Sequence, residues 1–436
     1  MSRRDSISLS RRALLRAAAL SGLCAAARPL WAASAQTPRK LVVLTSYPDD
    51  VMARFEAAFA RRFPATPLQF IWRMPHDALP YLLEHGGVDV YWAASPRTFA
   101  QLKAAGALRQ LPVFAALPSM IGNTRLRDEG GYFQATEMAA YGFAINRAAL
   151  DRLGVAPPRD WRELANPQLA GRIALPDPTR VGFAPVLIDI VLQAYGWEAG
   201  WALWNEIAGL SQLQQRGAGF ISDEVGSGRC ALGLSIDFFV ASAIANGAPL
   251  EFVYPTRNGI NPGHVAILRG AGNVAGAQQF VDFLLGADGQ SLLTHADIRK
   301  LPVLSAAYAP LDAGYYRPFE AAARAELDYD NDAGRDRLGL VAALFGQHLV
   351  HRHDEQAALW RRLHEREASG GDSAALRREF CAAPISAAES ESEAMRALFR
   401  GRLEGDDETI GKLERRWRDA TDRRIATVQR QLDAAV

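Results

Sequence analysis

The sequence predicts an α/β fold that is followed by a helix-rich C-terminal segment. Between Leu41 and Leu268, apolar runs repeatedly end in a polar loop and a helical pattern. This order is typical of a sheet with parallel strands and right-handed crossovers. From Arg317 onward, apolar residues recur three and four positions apart, as in amphipathic helices. At 436 residues, the chain is long enough for about two to three domains.

Composition excludes several classes of protein. The chain is 49% hydrophobic and 22% charged, which is ordinary for a globular protein. Its formal net charge of +1 gives no global argument for binding nucleic acid or an anionic membrane surface. The motifs GxSxG and HExxH and the P-loop are absent from the sequence, so we expect a protein that is not an enzyme and has no cofactor.

The N-terminus predicts export. Residues 1–35 combine a charged start, a short alanine-rich apolar run and the small-x-small sequence Ala33–Ala35, as in a signal peptide. The pair Arg11 and Arg12 favours twin-arginine (Tat) export, and a general secretory signal is the alternative. The mature protein is therefore expected to begin near Gln36 and to reside in the periplasm.

Three strands in the first part of the chain end in polar loops. The run Leu41–Asp50 reads as a strand of four apolar residues, a loop that begins at Thr45 and a helix start at Pro48. The runs Leu68–Met74 and Gly86–Pro96 read as the second and third strands. Ligands bind where the carboxyl ends of such strands meet. The loops offer a set of six candidate ligand contacts, namely Thr45, Ser46, Tyr47, Trp72, Arg73 and Ser95. For Trp92, within the third strand, a place in the core is the favoured interpretation.

The middle of the chain repeats this pattern. Strands are predicted in Met138–Arg147, Gly171–Gly182 and Cys230–Ser235, and helices in Pro185–Tyr195 and Trp197–Leu210. The candidate contacts here are Thr179, Arg180, Arg216 and Asp237. Hydroxyl and guanidinium groups suit a small oxyanion, and Asp would receive an amine or a sugar hydroxyl. The alternative is that each arginine is a solvated surface charge.

Several of these segments resemble a known family. The loop sequence TSYP after the first strand, the tryptophan-containing stretch Pro157–Pro178 and the segment Val274–Gln290 resemble periplasmic solute-binding proteins of ABC transporters. The similarity is to family 1 members that bind ferric ion, thiamine or organophosphates, and it covers Leu41 to Tyr316. It implies a two-lobe periplasmic-binding-protein fold of type II with a helical C-terminal extension. The implied boundaries are 36–140 plus 256–316 for lobe 1, 141–255 for lobe 2 and 317–436 for the extension.

The resemblance also implies a function. The protein would be a monomer that closes two lobes around a small anionic organic solute, of phosphate-ester or phosphonate type, and delivers it to ABC permease subunits in the inner membrane. The alternatives are a ferric-ion carrier, a sensory protein that presents its ligand to a membrane receptor, and an exported enzyme. Iron-binding relatives have two adjacent tyrosines near the position that Phe238 and Phe239 occupy in this chain. An adjacent tyrosine pair of this chain, Tyr315 and Tyr316, lies later in the sequence.

Three further features are left open or interpreted as structural. The final helical stripe, Ile410 to Leu432, must bury itself against either the core or a partner. The cysteines of the mature chain, Cys230 and Cys381, are either a disulfide or two buried thiols. Four histidines crowd one region, but no convincing set of zinc ligands completes them, so no metal site is predicted; they are His348, His351, His353 and His364.

Overall fold

The structure is a computed structural model that describes residues 39–296, 298–400 and 408–434. The predicted signal peptide and its arginine pair lie outside the described residues. From Lys40 onward the chain forms one compact unit. None of the described helices combines the length and the apolar character that a membrane crossing requires.

The strands follow the predicted order. They are β1 (Leu41–Thr45), β2 (Leu68–Trp72), β3 (Val90–Ala93), β4 (Met120–Ile121), β5 (Thr124–Arg125), β6 (Gln134–Ile145), β7 (Ile173–Pro176), β8 (Ser211–Gln214), β9 (Leu232–Ile236), β10 (Glu251–Val253), β11 (Ile260–Ile267) and β12 (Leu301–Pro302).

Helices connect the strands and form the C-terminal region. The first ten are α1 (Asp49–Arg62), α2 (Pro75–Glu84), α3 (Pro96–Ala104), α4 (Arg147–Leu153), α5 (Ala184–Tyr195), α6 (Trp197–Gly209), α7 (Ala218–Gly226), α8 (Asp237–Ala245), α9 (Val274–Leu285) and α10 (Ala287–Leu293). The later ones are α11 (Pro318–Ala323), α12 (Asn331–Arg335), α13 (Leu338–Phe345), α14 (His353–Ala368), α15 (Ala374–Cys381), α16 (Ala387–Glu391), α17 (Glu393–Arg400) and α18 (Glu408–Asp433). Short 3₁₀ turns lie at Trp161–Leu164, Pro167–Leu169 and Ser305–Tyr308, and a π-helical turn lies at Gly346–Val350.

One long strand joins two halves of the sheet. The strand order is β2-β1-β3-β11-β6-β9-β7-β8. The first part of β6, up to Ala140, pairs with β11, whereas the part from Tyr141 onward pairs with β9 and β10. Parallel pairs flank it on either side, β1 with β2 and β3, and β7 with β8 and β9. The predicted two-lobe fold, with its helical C-terminal region, is confirmed.

The chain returns to the first half between β10 and β11. Glu251 of β10 still pairs with Ile145 in the second half of β6. The crossing is completed only at β11, where Ile260 pairs with Ala140. The lobe boundaries given above stay a prediction.

Each half has its own core. In the first half, Phe55 and Phe59 of α1 pack with Trp92, Phe280 and Phe283. Trp92 is 1% exposed, so its assignment to the core is correct. The fully buried tryptophans Trp161, Trp201 and Trp204 belong to the core of the second half.

The C-terminal helices extend the second core. Phe345 and Trp417 share a cluster with Trp201, and Trp417 lies against Phe399 with ring centroids 5.7 Å apart. Trp360 of α14 fits so closely on α6 that a Cβ on Gly209 would lie 2.1 Å from its ring. Most of the α18 stripe is buried, including Ile410, Trp417, Thr421, Ile425, Val428 and Leu432. The stripe therefore packs within the chain.

Cys230 and Cys381 are both buried and both free thiols. Of the two alternatives that the sequence left open, the structure shows two separate thiols.

Candidate functional site

The loop after β1 turns an aromatic side chain inward. Thr45 is fully buried, and its Oγ1 accepts a hydrogen bond of 3.2 Å from the backbone N–H of Tyr47. This turn leaves Ser46 half-buried and directs the Tyr47 ring against Trp92, at a centroid distance of 4.5 Å. The Tyr47 hydroxyl is buried and has no hydrogen-bond partner among the described residues. A buried hydroxyl in that state is a candidate ligand contact.

Lys300 stands between the two halves. It precedes β12 and is 4% exposed. Its Nζ lies 4.7 Å from the ring centroid of Tyr47, which belongs to the first half, and 4.5 Å from that of Phe238, which belongs to the second. Its charged partner is Glu137 of β6, with Nζ 3.5 Å from Oε1. The ammonium therefore contacts both halves and the strand that joins them.

Asp237 approaches the same place from the second half. It is the first residue of α8, where its Oδ1 accepts a hydrogen bond of 2.7 Å from the Phe238 N–H. Its Oδ2 accepts bonds from the Ala140 N–H at 3.0 Å and from the Tyr254 hydroxyl at 3.4 Å. We call Tyr47, Glu137, Asp237, Tyr254 and Lys300 the junction cluster.

Burial dominates the electrostatics of the two carboxyl groups. It raises the pKa of Asp237 to about 7, against the backbone N–H groups and the charge of Lys300, which act to lower it. It raises the pKa of Glu137 to about 7 as well, against the opposing effect of Lys300. Both groups can therefore take up or release a proton near neutral pH.

A glycine makes room for the cluster. A Cβ on Gly263 of β11 would lie 1.9 Å from Glu137 Oε1 and 2.3 Å from the Tyr47 hydroxyl. Any side chain at this position would displace one of these two oxygen atoms. The other oxygen of Glu137 accepts a hydrogen bond from Thr136, whose Oγ1 in turn accepts one from Trp92 Nε1 at 3.0 Å.

The other first-half candidates lie at neighbouring strand ends. Trp72 is 46% exposed, and its carbonyl accepts a hydrogen bond of 2.9 Å from Arg73 Nη1. The Arg73 guanidinium lies 4.5 Å from the ring centroid of Tyr81. Ser95 Oγ is 2.8 Å from Thr98 Oγ1. Their contact with a ligand stays a prediction.

The remaining second-half candidates are exposed. Thr179 and Arg180 line a surface pocket together with residues of the C-terminal region. Arg216 is exposed, and its guanidinium lies 4.6 Å from the ring centroid of Phe220. Of the ten predicted residues, the structure brings Tyr47 and Asp237 together around Lys300. It stays a prediction that all ten residues line one ligand-binding cavity.

Sequence reasoning missed Glu137 and Lys300. Glu137 immediately precedes the predicted strand Met138–Arg147 and lies in the polar first part of β6, and Lys300 lies in a turn between predicted elements. One signal was available for Lys300, because the chain contains four lysines and 45 arginines. An ammonium is a compact charge that fits between two rings, whereas a guanidinium is a broad planar fork.

The residues considered for metals are placed as follows. His348 is buried next to Asn205, and His364 Nε2 is 2.8 Å from Glu206 Oε1. Within the described ranges, no three His, Cys, Asp or Glu residues are arranged to hold a metal ion. The tyrosine pair adjoins the junction cluster: Tyr316 stacks on Tyr254 at 3.7 Å, and the Tyr315 hydroxyl donates to the Lys300 carbonyl at 3.2 Å.

Solved structures of similar shape are periplasmic binding proteins. The protein AfuA from Actinobacillus pleuropneumoniae, with exogenous fructose-6-phosphate bound, matches with a TM-score of 0.52 and 21% identity, over 68% of this chain and 96% of that one. Iron-bound HitA from Pseudomonas aeruginosa matches with a TM-score of 0.55 and 15% identity, over 70% and 99% of the two chains. At these identities the likeness shows the fold alone.

Sequence comparison is more specific. The phosphoglycerate transport regulatory protein PgtC of Salmonella typhimurium is 30% identical over 270 residues, which is 61% of this chain. The aligned segment spans 66% of that relative, slightly less than two thirds of its length. Residues 88–328, more than half of the chain, match the sequence model of the bacterial extracellular solute-binding proteins. The chain therefore belongs to the family of bacterial extracellular solute-binding proteins.

Proposed function

We propose that this protein is the periplasmic substrate-binding component of an ABC importer, and that it closes its two lobes around a small anionic organic solute such as a phosphate ester. The observation that carries the proposal is the position of Lys300. Its ammonium lies between Tyr47 of one half and Phe238 of the other, 4% exposed. A solute that contacts it must lie between the lobes.

The donors at this place suit phosphoryl or carboxylate oxygens. Lys300 offers a charge and N–H donors, and the Tyr47 hydroxyl has no partner among the described residues. Hydrogen bonds in which one partner is charged are shorter and stronger than neutral ones. Because Glu137 and Asp237 have pKa values of about 7, an anion that enters beside them favours their neutral forms. The cluster can therefore accept negative charge.

The relatives support the chemical class. PgtC is named for phosphoglycerate transport, and AfuA was solved with fructose-6-phosphate. Both compounds are phosphate esters with hydroxyl or carboxylate groups nearby. Asp237 is the residue that we assign to such a hydroxyl.

Closure would report the loaded state to the permease. The two lobes share β6, whose pairing changes between Ala140 and Tyr141, and we place the hinge there. A ligand that contacts both lobes binds the closed form better than the open one and shifts the population accordingly. The predicted signal peptide would export the protein to the compartment where the permease presents its outer face.

A ligand screen tests the proposal. Isothermal calorimetry on the chain from Gln36 would use 3-phosphoglycerate, fructose 6-phosphate and inorganic phosphate, with glycerate and fructose as unphosphorylated controls. We expect a phosphorylated compound to bind and its control not to bind. Release of phosphate from either ester by pure protein would instead support an enzyme. Binding of the controls alone would contradict the assignment to anions.

A ferric-ion carrier is a second candidate, favoured by one observation. Tyr254, Tyr315 and Tyr316 gather beside Asp237, and HitA was solved with iron bound. Burial, however, raises the pKa of Tyr315 and of Tyr316, which opposes the phenolate form that iron requires. Titration with ferric citrate distinguishes a ferric-ion carrier from a carrier of an organic anion. A visible tyrosinate-to-iron absorption band would establish the ferric-ion carrier, and its absence would leave the organic anion as the ligand.

A sensory role is the third candidate, and the word "regulatory" in the name of PgtC favours it. The ligand site would be the same, and the partner would be a membrane receptor. Pull-down of solubilised membranes with the loaded protein, followed by identification of the partner as a permease or a receptor kinase, separates the two roles.

A further inference from the structure

A groove lies on the surface of the C-terminal region, between α14 and α18. Arg352, just before α14, reaches Asp422 of α18, with Nη1 3.3 Å from Oδ1. Further along both helices, Arg362 reaches Asp433, with Nη2 2.8 Å from Oδ1, so the helices run in the same direction. The groove between these ion pairs is open to solvent and encloses about 710 Å³, within the range of small-molecule sites. It lies beyond residues 88–328, the part of the chain that matches the family.

The floor of the groove is apolar and belongs to a core. Leu359 of α14 and Ile425 of α18 are buried there. Both are members of one hydrophobic cluster with Trp360, which packs on α6. Ala358 and Ala426, next to them in sequence, are exposed and also line the groove. Their small side chains leave space above the floor, and an apolar group that lies there is shielded from water.

The rim of the groove carries positive charge that no described carboxylate balances. Arg423 and Arg430 are exposed, lie two turns apart on one face of α18, and form no ion pair with a described residue. Arg430 Nε donates to the Ala426 carbonyl at 3.2 Å, which orients its guanidinium without neutralising it. Glu355 also lines the groove, but its two oxygens accept hydrogen bonds from Arg352. The charge of Glu355 is therefore already compensated.

The backbone that carries Arg352 is strained. Its φ of 56° and ψ of 35° lie in the left-handed region, which a side chain of this size rarely adopts. The residue follows the π-helical turn Gly346–Val350. Strained residues persist where the surrounding structure holds them, and they are enriched at sites that clamp ligands. This conformation places a third guanidinium at the beginning of the groove.

We propose that this groove is a second ligand site, which binds a small amphipathic anion: a carboxylate or similar acid group on an apolar chain. The acid group would bind Arg423 and Arg430, and the chain would lie over Leu359 and Ile425. Guanidinium groups offer paired N–H donors that suit the oxygens of an acid group, and the apolar area that is buried adds to the affinity. The site is separate from Lys300 and does not depend on the function proposed for the junction cluster.

The test measures octanoate binding by isothermal calorimetry at low salt, because exposed charges are screened at high salt. Acetate, which keeps the charge, and 1-octanol, which keeps the chain, are the ligand controls. We expect octanoate to bind, and each control to bind at least about tenfold more weakly.

Three variants locate the site. The chain from Gln36 is compared with the double variant Arg423→Gln/Arg430→Gln, with Ala426→Glu and with Arg415→Gln. Arg415 is an exposed arginine of the same helix that does not line the groove, so its replacement is the matched control and should retain the affinity of the unchanged chain. The double variant should lose at least about tenfold in octanoate affinity. Ala426→Glu should lose affinity as well, because it places a negative charge in the groove. Circular dichroism verifies that each variant is folded.

Several outcomes would overturn the proposal. One is an octanoate affinity of the double variant that equals that of the unchanged chain, and another is acetate binding as tight as that of octanoate. Loss of octanoate binding in Lys300→Met would place the anion at the junction cluster and leave the proposed function intact. If octanoate does not bind but the unchanged chain sediments with phosphatidylglycerol vesicles, the arginines of the rim contact a membrane surface instead.

Discussion

The carboxylate of Asp237 accepts a hydrogen bond of 3.0 Å from the backbone N–H of Ala140, at the point where β6 changes partners from β11 to β9. A long strand that serves two halves of a sheet leaves a backbone group to be satisfied at such a point. The Asp237 side chain thus provides the acceptor for the Ala140 N–H and is also a member of the junction cluster. The hinge that we propose and the candidate ligand site consequently share a residue.

Replacing Asp237 should weaken the fold. In Asp237→Ala the N–H groups of Ala140 and Phe238 lose their acceptor in a buried place, and we expect a loss of about 1–3 kcal/mol in the free energy of unfolding. Urea denaturation at pH 6 measures it. Asp223→Ala, an exposed acid of α7, is the control and should stay within about 0.5 kcal/mol of the unchanged chain. Equal stabilities for the two variants would show that the bond to Ala140 contributes nothing.

Replacing Lys300 should separate binding from stability. We expect Lys300→Met to lose at least about tenfold in affinity for the phosphate ester found in the screen, because a charge-assisted contact is lost. The variant also leaves Glu137 buried without its partner and should be less stable. Adding Glu137→Gln should recover stability without recovering affinity. Lys40→Met, at an exposed lysine, is the control, and calorimetry and thermal denaturation are the measurements. Recovery of affinity in the double variant would contradict a direct role for Lys300.

The buried carboxyl group of Glu137 should make stability depend on pH. Its pKa is raised by burial from 4.5 in the free residue to about 7 in the folded chain. The folded state therefore holds a proton that the unfolded state has lost between these pH values, and stability falls as pH rises through this window. The slope contributed by one such group is at most about 1.4 kcal/mol for each pH unit.

The comparison must be made against a variant that lacks this titration. Burial lowers the pKa of His264 and His348, so these two groups act in the opposite direction and lose stability as pH falls below their usual pKa. Urea denaturation is therefore measured for the unchanged chain and for Glu137→Gln, each from pH 5 to pH 8. The difference between the two free energies of unfolding cancels the contribution of the two histidines. We expect the unchanged chain to lose stability relative to the variant as pH rises. Parallel curves would show that Glu137 does not titrate in this range.

The C-terminal helices should unfold together with the body. Trp417 is 1% exposed in the core that contains Trp201 and Phe345, so Trp417→Ala should cost about 3–5 kcal/mol. Arg415→Ala, on the exposed face of α18, should be nearly neutral. Both are measured by chemical denaturation followed by circular dichroism. A separate early transition in Trp417→Ala would show instead that these helices form an independent unit.

Local patterns predicted most elements and some of the packing. The helices predicted in Pro185–Tyr195 and Trp197–Leu210 differ from α5 and α6 by one residue at one end, and the α18 stripe packs on the face that its spacing indicates. Asp237 was placed in a loop after a strand but begins α8, because an acidic residue there is equally suited to a helix start. The sequence left open whether the α18 stripe packs against the core or against a partner protein, because residue spacing identifies the buried face of a helix and not what covers it.

The sequence alone therefore determined the order of strands and helices, the two-lobe α/β class and the resemblance to solute-binding proteins. It also determined the loop in which Tyr47 lies and the strand end that Asp237 follows. Only the tertiary structure placed Lys300 and Glu137 beside them and put Thr179 and Arg180 next to Arg418 of the final helix. The physical reason is that periodicity and turn chemistry act between near neighbours in the chain. Charge compensation in a buried place depends on which distant segments the fold brings together.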